Sequence, residues 1–136
     1  VVGGELDYGG GFADRLPHFD PVLRRSPMVQ GRIASGGAIQ VGVDDPGPWQ
    51  AQAIALWRRA FALRRQEAPD QPIAFCPELL PHVLGEAWFG YAPVRRRADA
   101  PSGLEETTDR FADALRLFEL AEACAAASDQ PLEPSP

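Results

Sequence analysis

Trp49, Ala53, Trp57 and Phe61 recur every four residues, a spacing that gathers all four on one face of an α-helix. Ile54 and Leu56 widen the apolar stripe, Arg58, Arg59, Arg64 and Arg65 fall outside it, and Pro69 and Pro72 end the helix. A helix with so bulky a face must bury it against another layer, and its flanks supply one. Met28 to Ser35 alternates in places, with Val29, Gly31 and Ile33 set against Gln30, Arg32 and Ala34. Ile73 to Cys76 is a continuous apolar run of the kind found in parallel strands buried on both faces. Strand, helix, strand is a parallel βαβ unit, and the aromatic stripe is read as its core contact.

The same reading extends in both directions. Gly3 to Tyr8 is expected to be a strand closed by Glu5-Leu6-Asp7 and broken by Gly9-Gly10-Gly11. Phe19 to Arg25 is expected to be a short helix, with Asp20 as N-cap and Pro21 at its first position. Gly36 to Pro48 is a long loop rich in Gly, Pro and Asp, a type that tends to carry function, although Ile39 to Val43 could continue the strand. Leu79 to Ser102 reads as irregular. Leu104 to Ala127 reads as a second long helix, with Ser102 as N-cap and Leu104, Thr108, Phe111, Leu115, Phe118 and Ala125 along one face. The fold class is therefore α/β, with about three βα units and parallel strands spanning residues 1–127, and a disordered tail over 128–136.

Composition narrows the partners. The formal charge is −6, and all 13 basic residues are Arg, which disfavours a binder of phosphate backbones and so excludes nucleic acid. Arg95-Arg96-Arg97 is the one basic run, read as a solvated loop with a phosphate clamp as the rival. Cys76 and Cys124 are too few for a disulfide framework and are read as reduced core thiols, as expected of a cytoplasmic protein. No apolar run approaches the ~18 residues that span a bilayer, so no membrane partner is expected. Val1-Val2-Gly3-Gly4 opens straight into a strand and Met28 is the only methionine, which suggests the tail of a longer protein.

Three segments carry a resemblance. Asp7-Tyr8-Gly9-Gly10, Met28-Val29-Gln30-Gly31-Arg32 and Cys76-Pro77-Glu78 follow one another as do the late-strand motifs of the xylose-isomerase-like TIM barrels, the sugar phosphate isomerase/epimerase group. Those motifs are Asp-x-Ser-His, His-x-His-Ala-Arg and (Thr/Cys)-Pro-Glu, followed by an aromatic-rich loop and a closing helix, and the likeness runs from Leu6 to about Ala127. It implies the carboxyl-terminal part of a (β/α)8 barrel, with the remaining barrel or a second copy as partner, because a partial barrel leaves raw sheet edges. It also implies a divalent cation, Mn²⁺ or Mg²⁺, polarising a sugar or sugar phosphate so that a proton or hydride moves between adjacent carbons. Carried over by position, Asp7, Gln30 and Glu78 would hold the metal, Glu78 and His82 would serve catalysis, and Arg32, Trp88 and Tyr91 would bind substrate.

The departures from those motifs define a rival. Gly10, Met28 and Gln30 stand where the group has histidines, which suits a barrel that kept its scaffold as a sugar-binding or structural protein without catalysis. For the individual residues the plainer roles are a cap for Asp7, a structural ion pair for Arg32, and a plug of the barrel mouth for Trp88 and Tyr91. A flavodoxin-like domain using Gly9-Gly10-Gly11 as a phosphate loop ranks lower, since the run matches no nucleotide fingerprint. The isomerase inheritance requires residues 7 and 78 to meet at one end of neighbouring parallel strands.

Overall fold

The computed structural model describes residues 11–84, 87–88, 92–100 and 102–128. Its centre is the expected βαβ unit: strand β1 (Met28–Gly31), helix α3 (Trp49–Glu67) and strand β2 (Ala74–Pro77), with β1 and β2 paired in parallel. Ahead of β1 come two one-turn helices, α1 (Phe12–Arg15) and α2 (Asp20–Leu23), joined by a 3-10 turn over Leu16–Phe19. Two antiparallel ladders follow β2, namely β3 (Val83–Leu84) with β4 (Ala87–Trp88), and β5 (Val94–Arg96) with β6 (Leu104–Glu106). Helix α4 (Arg110–Ala127) closes the described chain and packs on α3 and β2.

The core lies on one face of the parallel pair. Val29, Trp57, Ala60, Phe61, Leu117, Ala121 and Cys124 form a single buried cluster with Ile33 and Val43. Phe75 is its hinge, edge-on to Trp57 at 5.3 Å, to Phe61 at 6.4 Å and to Phe118 at 5.7 Å between ring centres. The four-residue stripe of α3 thus packs as the sequence implies at Trp57 and Phe61. Burial raises the pKa of the Cys124 thiol, which keeps it protonated in this cluster.

Several expectations are corrected. Among the described residues the parallel sheet has two strands and the later strands are antiparallel, so the described chain is mixed α and β with a small parallel sheet, and the strand expected over Gly3 to Tyr8 lies outside the described residues. β2 is not buried on both faces: Ala74 and Cys76 alternate outward, so Cys76 is an exposed thiol. Ile39 to Val43 is not a strand, and Leu79 to Ser102 holds β3, β4 and β5. Asp20 does not cap α2; its carboxylate takes both ends of the Arg59 guanidinium at 2.5 and 2.8 Å, tying α2 to α3 and raising the Arg59 pKa.

The second long helix starts six residues later than its periodicity suggests. Arg95 lies directly opposite Glu105 across the β5–β6 ladder and bonds it at 2.9 Å, so cross-strand charge draws Leu104–Glu106 into a hairpin. Gly103, at φ 69°, makes the left-handed turn that returns the chain. Ser102 bonds Leu104 locally, and the true cap is Asp109, whose carboxylate accepts the N–H groups of Phe111 and Ala112. The buried stripe of α4 is Leu117, Ala121 and Cys124, whereas Phe111, Leu115 and Phe118 stay 74%, 51% and 44% exposed. The buried face of α4 thus combines Leu117 with the small Ala121 and Cys124, and half-exposed Phe118 still meets Phe75 at 5.7 Å. Among the described residues, no helix is long and apolar enough to cross a membrane.

Candidate functional site

In a parallel pair both strands leave at the same end, and the register here aligns Gly31 with Pro77. Arg32 and Glu78, each one residue past its strand, therefore emerge side by side. The Glu78 N–H donates to the Gly31 carbonyl at 2.9 Å, which continues the ladder by one bond. The Arg32 Nη1 atom donates to Glu78 Oε1 at 3.2 Å, with the two side chains 24% and 30% exposed. This half-buried pair stands in a cleft of about 640 Å³ that Gln30 also lines. Further lining comes from Phe19, Val22 and Leu23 around α2, from Met28 on β1, and from Trp49, Gln52, Leu56, Trp57 and Ala60 on α3. The carboxyl end of parallel strands is where ligands of open α/β sheets and barrels bind.

Two sets of contacts hold this arrangement. The cleft wall formed by α2 is tied to α3 by Asp20 with Arg59, by Arg24 with Glu67 at 2.8 Å, and by Arg64 donating to the Arg24 carbonyl. The long loop after β1 folds back, with the Val41 N–H donating to the Ile33 carbonyl at 2.9 Å. This return buries the Gln40 amide, whose Oε1 accepts the Leu80 N–H at 2.8 Å. Gln40 thereby holds the segment that carries Glu78. Replacing Gln40 by leucine is expected to cost about 1 kcal/mol, because Leu80 is half-buried and water can partly replace the lost acceptor. Urea unfolding would read that loss, and faster amide exchange at Leu80 would mark its site.

The other sequence-chosen residues are scattered. Asp7 and Tyr91 lie outside the described residues, and Trp88 lies in β4, opposite Val83. His82 is buried, its backbone N–H donating to Glu106 Oε1 at 2.9 Å, and it is not among the described residues that line the cleft. His18 is exposed. The arginine run lies on β5, where Arg95 and Arg97 are engaged by Glu105, and Arg97 also by Asp99 at 2.9 Å. Hydrogen bonds from Arg97 lower the pKa of Asp99, and those from Arg95 and then Arg97 lower that of Glu105. Arg95 and Arg97 are thus paired with acids of their own hairpin, and the run is exposed, as the solvated reading has it, but on a strand and its exit rather than in a loop.

Sequence reasoning missed Trp49, Gln52, Gln40 and Val22. Trp49 packs against the core with its stripe, and because it opens α3 just after the long loop it also lines the cleft, a second role that its periodicity does not show. The signal available was the coincidence of a long polar loop with an aromatic first turn.

A divalent metal needs several oxygen or nitrogen donors around one point. Of the ligands that the barrel resemblance implies, Gln30 and Glu78 line the cleft. One oxygen of Glu78 already faces the Arg32 guanidinium, whose charge opposes a second cation there. Among the described residues there is no group of three or more His, Cys, Asp and Glu side chains placed to hold a metal. These residues alone therefore do not fit a divalent centre; they fit a hydrogen-bonding site. Comparison with protein-family models, with curated proteins and with solved structures gives no match.

Proposed function

We propose that this chain is the carboxyl-terminal part of an α/β barrel of the sugar phosphate isomerase/epimerase type, and that its cleft binds a sugar or sugar phosphate. The observation that supports this is the Arg32–Glu78 pair, delivered by two parallel strands to one end of a cleft that Trp49 also lines. A guanidinium has five N–H donors and a carboxylate two acceptor oxygens, so the pair keeps spare donors and acceptors side by side. Neighbouring hydroxyls of a sugar, each both donor and acceptor, match that pattern. Isothermal titration with glucose, fructose and their phosphates tests it. Binding is expected, and Arg32→Ala and Glu78→Gln should each weaken it about 10- to 100-fold, the value of a hydrogen bond to a charged group. No heat with any of the four, or full affinity in both variants, overturns the proposal.

Metal-assisted isomerisation or epimerisation at adjacent carbons is the second reading, favoured by the two oxygen donors Gln30 and Glu78 on one cleft. It requires Asp7 as a further ligand. Manganese binding that is lost in Asp7→Ala, with ketose–aldose interconversion abolished by chelator, would support it over the non-catalytic sugar binder. No interconversion with any metal would leave the binder.

A further inference from the structure

Resting on the sugar-binding reading above, we propose that the preferred ligand is an uncharged sugar bearing an apolar substituent, an aryl or alkyl glycoside in chemical class. The polar and apolar parts of the cleft are segregated along its length. Gln30, Arg32 and Glu78 sit at the carboxyl end of the parallel strands, and α3, which links these strands, begins at that end with Trp49 and Gln52. Farther along α3 and back along β1, the lining turns to Leu56, Ala60, Met28, Val22 and Leu23. A bare hexose would satisfy the first part and leave the second facing water. A phenyl or short alkyl group carried on the sugar removes that apolar surface from water, which is the dominant source of affinity in such sites.

Charge argues against a phosphate in the same place. The Arg32 guanidinium is already matched by Glu78 at 3.2 Å, so the polar end is neutral as a pair and the carboxylate repels a second anion. Val22 lines the apolar part while remaining 65% exposed, so it can be changed without disturbing the core.

Titration calorimetry on the 136-residue chain with glucose, glucose 6-phosphate, phenyl β-glucoside and phenol separates the outcomes. Phenyl glucoside is expected to bind at least about tenfold more tightly than glucose, since even one buried methylene is worth about that much. Glucose 6-phosphate is expected to bind no more tightly than glucose. Val22→Gln should shrink the phenyl preference severalfold. Equal affinities for glucose and phenyl glucoside overturn this inference and keep the sugar reading. So does a clear preference for the phosphate. Phenol binding as tightly as phenyl glucoside, or no binding by any of the four, overturns both.

Discussion

Replacing Trp57 by alanine is expected to lower the unfolding free energy by about 3–5 kcal/mol, a large part of what a domain of this size possesses. Trp57 is 2% exposed, belongs to the buried cluster joining α3, α4 and the sheet, and meets Phe75 edge-on at 5.3 Å. Its removal leaves a cavity between helix and sheet and takes away one of the three rings that meet Phe75. Trp57 also lines the cleft, so the same substitution widens the ligand site. Trp57→Phe keeps an aromatic edge and should recover about half of the loss. Urea denaturation followed by far-ultraviolet circular dichroism reads both variants. A loss below 1 kcal/mol for Trp57→Ala would show that the α3–sheet contact is not where the stability resides.

What could be read from the residues divides along the range of the interactions. The α3 repeat and the two strands beside it are local patterns with strong periodicity, and the βαβ unit built from them is observed, with α3 starting at Trp49 as expected, β2 shifted by one residue, and β1 ending at Gly31, four residues short of Ser35. The neighbouring exits of Arg32 and Glu78 follow from parallel pairing alone. Periodicity misplaces the start of α4 at Leu104 because the pairing that decides it is not local to the segment: Leu104 pairs with Arg96, and Glu105 with Arg95 ten residues upstream, so the hairpin forms instead. Periodicity misplaces the buried face of α4 because Phe111, Leu115 and Phe118 outweigh Ala121 and Cys124 in hydrophobicity, whereas the face that meets the core cluster is the one carrying Leu117, Ala121 and Cys124. The residues alone point to a buried Cys76 because a continuous apolar run looks the same whether one or both faces are covered, and here the outward face of β2 lacks cover among the described residues. Gln40 was missed for another reason. A buried amide in a loop becomes visible only when the loop is folded back to the backbone group it must satisfy.

Gly31 joins the core to the site, and Gly31→Ala is expected to cost about 2–3 kcal/mol in stability and to weaken ligand binding as well. A Cβ placed on Gly31 would stand 2.0 Å from Phe75 Cζ and 2.8 Å from both of its Cε atoms. The ring cannot simply swing away, because Trp57, Phe61 and Phe118 surround it, and only the side toward half-exposed Phe118 offers relief. Glycine is therefore required here for close approach of ring to backbone, not for its dihedral freedom. The Gly31 carbonyl also accepts the Glu78 N–H, so any shift of β1 that relieves the ring moves Glu78 relative to Arg32. A double-mutant cycle separates the two consequences. In a Phe75→Leu background the ring is gone, and adding Gly31→Ala should then cost less than 1 kcal/mol, whereas purely additive losses would place the penalty in the backbone. Sugar affinity measured on the same variants should fall with Gly31→Ala in the native background, and recover in the double mutant if displacement of Glu78 is the cause.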